Sequence, residues 1–372
     1  MARPPSFVVL LLVLAEPLIA QDVPTITLRG VVKGSQTFTP LPNVNVFLAN
    51  TAKGAATNAK GEFIIPNVPA GVYDVVVSMV GYERAIQRLK VFGIQHEPMQ
   101  ILLKETTYEI PQVDVVAKDD ADWRNQLKKF RDYFFGETKN SSQCRILNPE
   151  DLDFTVDPQT GRFEATARKP LQIENPALGY KLEFVLQVFV IDGRTFKYGG
   201  VTHFQELKPE TANRQIQWEQ ERVRAYRGSL RHFLSALARN KLEQEGFGIS
   251  LMYRIPSSRT LLVPRETVTR DDILFLGGFP FERRLAFRDY LRVEYTKEAP
   301  EAEFSDFWGR QSQYQDPMGD QYQVSWLMLE FEDVRLNLNG ILYDPFNLRT
   351  YGYWSYERIG EWLPLEYLPS SP

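Results

Sequence analysis

The sequence predicts a mainly β protein: a small N-terminal β-sandwich followed by a larger β-rich α+β domain with two or three helices. Three observations predict it. Short apolar-alternating runs separated by Gly, Pro and Asn fill residues 26–103. A second series of such runs fills 163–207 and resumes at 247. Helical spacing of apolar residues is confined to 123–136 and 216–245.

Ahead of the first strand, Arg3 supplies a charge, Phe7 to Leu14 form an unbroken apolar run, and Leu18-Ile19-Ala20 offers a small-residue cleavage site before Gln21. Residues 1–20 are therefore expected to be a signal peptide and the chain to be exported. Glu16 and Pro17 interrupt the run well short of the ~20 apolar residues that a membrane crossing needs. The single cysteine, Cys144, is far from the cleavage site, so it offers neither a lipid anchor there nor an intramolecular disulfide. An apolar fraction of 43% supplies the core instead. A net charge of −4 without a basic run offers no footprint for nucleic acid, whose binding is dominated by phosphate neutralisation.

In the first module, Ile26, Leu28 and Val31-Val32 make one strand, and Val44, Val46 and Leu48 alternate in a second beyond the turn Thr39-Pro40-Leu41-Pro42. Gly54 to Gly61 is turn-rich. Phe63-Ile64-Ile65 follows as a strand that Pro66 is expected to end, and Val68-Pro69-Ala70-Gly71 turns into a strand over Tyr73 to Met79. Gly81-Tyr82 closes that strand before Ile86 to Val91 and Met99 to Leu103.

The blocks Gly30-Val-Val, Leu41-Pro42-Asn-Val-Asn-Val46, Thr57-Asn-Ala-Lys-Gly61-Glu-Phe63, Val68-Pro-Ala-Gly71-Val-Tyr73 and Val80-Gly-Tyr82 resemble the carboxypeptidase-regulatory-like domain. The resemblance implies an Ig/transthyretin-like sandwich over residues 21–117. Asn43 stands where that family usually has glycine. Such domains occur behind metallocarboxypeptidase domains and at the front of outer-membrane receptors with a large barrel. A barrel of about 22 strands needs several hundred residues, and about 255 remain after Ala117.

The charged stretch 118–122 reads as a linker, with Asp122 placed to cap a helix from Trp123 whose Leu127, Phe130 and Phe134 share its face and which Gly136 stops. The domain expected over 123–372 continues through strands at Phe163 to Ala167, Leu171 to Ile173, Tyr180 to Ile191 and Thr195 to Leu207. Helices follow over Ile216 to Tyr226 and from a Ser229 cap to about Glu245, ended by Gly246. Strands resume at Phe247 to Tyr253, Leu261 to Val263, Leu285 to Tyr295 and Tyr322 to Phe331, before an aromatic tail over Ile341 to Leu368. Cys144-Arg-Ile-Leu-Asn-Pro149, Leu178-Gly-Tyr180, Tyr198-Gly-Gly200, Ala225-Tyr226-Arg-Gly-Ser229, His232-Phe-Leu234 and Gly352-Tyr-Trp354 are similar to a set of exported bacterial proteins of unassigned function, which adds architecture and no activity.

Two constellations bear on chemistry. His203-Phe-Gln-Glu206 has the His-x-x-Glu spacing of zinc carboxypeptidases, with His232 as a third ligand. In a strand, however, residues three apart face opposite sides, so His203 is expected to be structural. Trp218, Arg222 and Tyr226 recur every four residues on one helix face, with His232 beyond; aromatics around an arginine form either a ligand-binding face or a packing face. These four are the ligand-binding candidates, packing being the stronger expectation. Ser229 and His232 sit at capping positions rather than in a triad, and nothing beside Cys144 lowers its pKa. No catalytic residues and no cofactor are assigned.

The expectation is an exported, non-catalytic protein, periplasmic or outer-membrane-associated and touching the membrane at most indirectly, whose β-rich domain binds an envelope protein or ligand. A zinc-dependent carboxypeptidase-like hydrolase and a structural assembly module of the envelope are the alternatives.

Overall fold

The computed structural model describes residues 23–92, 97–106, 121–193, 195–255, 263–310 and 321–369. The leader at 1–20, the boundary at 117 and linker residues 118–120 lie outside the described residues.

The N-terminal sandwich packs two sheets face to face. Strands β1 (Thr25–Gly34), β2 (Asn45–Leu48), β3 (Gly54–Ala56), β4 (Glu62–Pro69), β5 (Gly71–Ser78), β6 (Ala85–Val91) and β7 (Met99–Leu103) form sheets ordered β4-β1-β7 and β3-β2-β5-β6. Alternating residues of the two inner faces, among them Leu28, Val32, Val46, Phe63, Ile65, Val75, Val77 and Ile101, make one core. Pro66 does not end its strand as expected: β4 runs on to Pro69, because it pairs only with β1 and an edge strand tolerates a residue without an N–H. Asn43 has φ 59, the left-handed conformation that glycine takes freely and asparagine tolerates, so it fills the family's glycine position.

Helix α1 (Ala121–Phe135) opens the next region. Asp122 lies in its first turn rather than before it, while Phe130, Phe134 and Phe135 are buried and Gly136 stops it at φ 87. The short α2 (Lys139–Gln143) follows, then β8 (Arg145–Ile146), β9 (Leu152–Val156), β10 (Phe163–Ala167), β11 (Leu171–Asn175), β12 (Tyr180–Asp192) and β13 (Thr195–Glu206). These strands make a sheet ordered β8-β11-β12-β10-β9, with β13 paired to β12 along the long hairpin. α1 lays its phenylalanines on this sheet, where Phe130, Phe134, Phe163, Phe184 and Phe189 form an aromatic core.

Helices α3 (Ala212–Tyr226), α4 (Leu230–Ala238) and α5 (Leu242–Glu245) come next. The single helix expected up to Glu245 is broken at Asn240, which takes φ 58. The chain then forms β14 (Phe247–Met252), β15 (Glu266–Thr267), α6 (Arg270–Ile273), β16 (Leu274–Leu276), β17 (Glu282–Leu285), β18 (Tyr290–Tyr295), α7 (Ala302–Arg310), β19 (Gln323–Leu329), β20 (Val334–Asn337), β21 (Leu348–Gly352) and α8 (Tyr353–Tyr356). They build sheets ordered β15-β14-β18-β19-β21 and β16-β17-β20 around α4. The continuous strand expected over Leu285 to Tyr295 is split, with Asp289 at φ 56 turning the chain from one sheet to the other. Of the strand expected at 261–263, residues 261 and 262 lie outside the described residues; Val263 is not in a strand. The protein is mainly β, as its sequence predicts.

Candidate functional site

The face of α3 follows from its four-residue spacing: Trp218, Arg222 and Tyr226 are all buried. Trp218 donates Nε1–H to the Pro176 carbonyl at 2.8 Å, and its ring fills the space over Gly179. Arg222 donates from Nε to the Leu178 carbonyl at 2.8 Å and from Nη2 to the Gly179 carbonyl at 3.3 Å, and its guanidinium lies 4.1 Å from the Tyr180 ring centroid. One turn, between β11 and β12, thus receives most of what the face offers.

His232 extends the row, its ring 5.1 Å from that of Tyr226. Its Nδ1 accepts the Gly228 N–H at 3.1 Å, which places the ring hydrogen on Nε2, 3.3 Å from Glu245 Oε2. Burial among Phe247 and Tyr295 holds its pKa below the usual histidine value, against the pull of Glu245. The fold therefore brings Trp218, Arg222, Tyr226 and His232 together in a packing row. Ser229 caps α4 by accepting the His232 amide at 3.2 Å.

The His203, Glu206 and His232 set does not converge. His203 stacks on Phe47 of the sandwich at 4.7 Å, Glu206 reaches Arg222 at 3.5 Å, and His232 faces Glu245. Strand alternation separates the first two. Among the described residues no group of three or more His, Cys, Asp or Glu is arranged to hold a metal ion. Cys144 is buried, and burial pushes its thiol up to about 12.

Two sites were not found from the sequence. The first is a seam between the sandwich and β13. Asn50 N–H donates to the Thr202 carbonyl at 2.6 Å, Phe204 N–H to the Thr51 carbonyl at 3.0 Å, and Thr51 and His203 form a parallel bridge. Residues 50–51 thereby pair with the outer edge of β13 at Thr202 and Phe204, backbone groups that would otherwise lack a strand partner. Phe47, Ala49, Val76 and Val201 bury an apolar patch beside it. Further along, Asn337 donates to the Ala70 carbonyl at 3.0 Å and Phe92 stacks on Phe279 at 4.4 Å. The sequence carried a signal: Val46-Phe47-Leu48 and Val75-Val76-Val77 are unbroken apolar runs, which a sheet shows when both faces are covered.

The second is a buried carboxylate cluster where the C-terminal strap, beginning at Tyr353, crosses α2 and α3. Glu361 Oε1 lies 2.5 Å from Thr138 Oγ1 and 3.8 Å from Arg224, and its other carboxyl oxygen accepts from Asn140 Nδ2 at 3.0 Å. Glu301 takes Arg224 at 2.8 Å and the Tyr356 hydroxyl at 3.0 Å. Burial raises the Glu361 carboxyl to about 7 against the pull of Arg224, Thr138 and Asn140, and burial together with Glu361 holds Glu357 well above the usual carboxylate range.

The N-terminal fold and its internal packing define a β-sandwich module. Residues 28–115 match the family model of the CarboxypepD_reg-like domain, so the chain carries that domain. No curated protein matches the chain. Among solved structures, a type II cohesin–X-dockerin complex from Acetivibrio cellulolyticus aligns at 22% identity over 22% of this chain and 58% of that one, with a TM-score of 0.18. A protein described as carbohydrate-binding, from Bacteroides uniformis, aligns at 12% identity over 49% of this chain and 80% of that one, also with a TM-score of 0.18. The chain spans little more than half the length of the cohesin–X-dockerin chains it matches, 58% and 56%.

Proposed function

We propose that this is an exported, non-catalytic envelope protein in which the regulatory-like sandwich braces a β-rich domain that binds a protein partner or ligand. The seam carries this reading. The sandwich commits Phe47, Val76 and the backbone of Asn50 and Thr51 to the flank of β13, which is how a support is built. The candidate reactive groups add to it, since His203, His232, Cys144 and Ser229 each have a structural partner. The leader read from Arg3 and Phe7 to Leu14 supports export.

The test uses the chain from Gln21 onward, purified without chelator. Circular dichroism is expected to find it folded, elemental mass spectrometry to find it free of stoichiometric metal, and chemical cross-linking to envelope fractions to give a defined adduct that excess untagged protein competes away. Stoichiometric zinc, with release of C-terminal residues from peptide substrates, would overturn the reading in favour of the hydrolase.

A further inference from the structure

Three oxygen-to-oxygen contacts run in series from Glu361 into α1. Glu361 Oε1 lies 2.5 Å from Thr138 Oγ1, Thr138 Oγ1 lies 2.8 Å from Ser141 Oγ, and Ser141 Oγ lies 2.7 Å from the Phe135 carbonyl. All three are hydrogen-bond distances in a buried site, and each needs one hydrogen. Two hydroxyls supply two. Phe135, as a carbonyl, supplies none, and the Ser141 amide already points at Thr138 Oγ1 from 3.1 Å. The third hydrogen has one source, the carboxyl of Glu361: its O–H donates to Thr138, Thr138 donates to Ser141, and Ser141 donates to Phe135. Asn140 Nδ2 satisfies the other carboxyl oxygen at 3.0 Å.

We propose that Glu361 is the proton-holding latch of a pH-sensitive clasp, closed when its carboxyl is protonated, that fastens the C-terminal strap to α1, α2 and α3. This inference is independent of what the protein binds. The charges around the latch pull both ways, Arg224 favouring the ionised form and Glu301 the neutral acid, and burial decides for the neutral acid. From α3 come Arg224 and, paired with it at 2.9 Å, Glu221; from the segment before α7 come Glu301 and Glu298; from α8 and its end come Tyr353, Tyr356 and Glu357. Cys144 lies beyond α2, with Arg131 of α1 on its carbonyl at 3.3 Å. One guanidinium thus serves several carboxylates, and an ionised Glu361 adds charge where compensation is already spent. Its carboxyl is accordingly held up to about 7, chiefly by burial.

Downstream, the strap passes from the latch to the seam. Arg231 donates to the Pro364 and Leu365 carbonyls at 2.8 and 2.6 Å, Leu365 N–H donates to the Asn50 carbonyl at 2.9 Å, and Glu366 accepts the Ala52 N–H at 2.7 Å. Loosening at Glu361 therefore frees the segment that ties the sandwich to the body.

The sign follows from linkage. A carboxyl with an ordinary value of 4.5 and a folded value of about 7 binds more protons closed than open, so the clasp weakens as pH rises through that window and is constant above it. Hydrogen exchange of the full chain reads this directly. After correction for the intrinsic rate, protection of the Trp362 and Tyr367 amides is expected to fall about 30-fold from pH 5.5 to pH 8. Glu361→Gln keeps an oxygen for Asn140 and puts an N–H on Thr138, so it should hold high protection at both pH values. Ser141→Ala removes one hydroxyl and with it the need for the third hydrogen, and should shrink the pH effect. Equal protection of the wild-type strap at the two pH values overturns the proposal even if a variant fails to fold, as does a Glu361→Gln chain that keeps the wild-type pH response.

Discussion

Gly179 shows how much one residue decides. It takes φ 71 in the turn that α3 covers, and a Cβ there would stand 2.3 Å from the Trp218 ring. Gly179→Ala therefore combines left-handed strain with a clash in a packed face, and should cost roughly 3 kcal/mol or more. Gly161 takes φ 72 with nothing within 4 Å, so Gly161→Ala carries the strain alone and should cost roughly 1 kcal/mol. Urea midpoints of the two variants measure the difference; equal losses would mean that the ring moves aside. Arg222 separates packing from ligand binding by the same kind of measurement. Arg222→Ala strips the Leu178 carbonyl of its side-chain donor inside the fold, and a loss of about 2–4 kcal/mol is expected. Unchanged stability with lost ligand capture would instead give Arg222 back to a binding site.

At the scale of elements, periodicity was a good guide wherever one face is buried and the other is wet. Phe163–Ala167 and Met99–Leu103 are where alternation places them, and Trp218, Arg222 and Tyr226 share the face that their spacing requires. Breaks were harder to see. Asn240 follows α4 and Asp289 precedes β18, each at positive φ, a conformation that asparagine and aspartate adopt at some positions and not at others, so neither residue announces the break. The clasp was hidden for a related reason: Thr138, Ser141, Arg224, Glu301 and Glu361 come from four separated segments, and no spacing rule joins them. Capping, being local, was legible at Ser229, though not at Asp122, which lies inside the first turn of α1. Ser229 accepts the His232 amide as read from the sequence, and Ser229→Ala should cost about 1 kcal/mol, with loss of protection confined at first to the start of α4. Hydrogen exchange checks it, and a uniform loss along α4 and α5 would assign Ser229 a wider role.

For the whole molecule, the seam decides whether the sandwich and the β-rich region unfold together. Phe47 is buried on the outer side of the sandwich, against His203 and in the patch with Val76 and Val201. It is thus absent from the sandwich's own core, and its removal weakens the junction while leaving both cores intact. Phe47→Ala should cost about 3 kcal/mol of coupling, within the usual range for a buried phenylalanine. The wild-type chain is expected to melt in one calorimetric transition at pH 8, because each part stabilises the other through the seam as a bound partner would. In Phe47→Ala that transition should separate into two, with the sandwich transition keeping its own midpoint because its core is unaltered. His203 adds a pH dependence opposite to that of the clasp. Burial lowers its pKa, so below the ordinary value of 6.5 the parted seam takes up a proton more readily than the closed one, and falling pH weakens the seam. The two transitions should therefore also begin to separate in the wild type as pH falls below about 6, and His203→Gln should suppress that separation. A wild-type chain with two resolved transitions at pH 8 would show that the seam couples nothing, and the sandwich would then be a passenger rather than a brace.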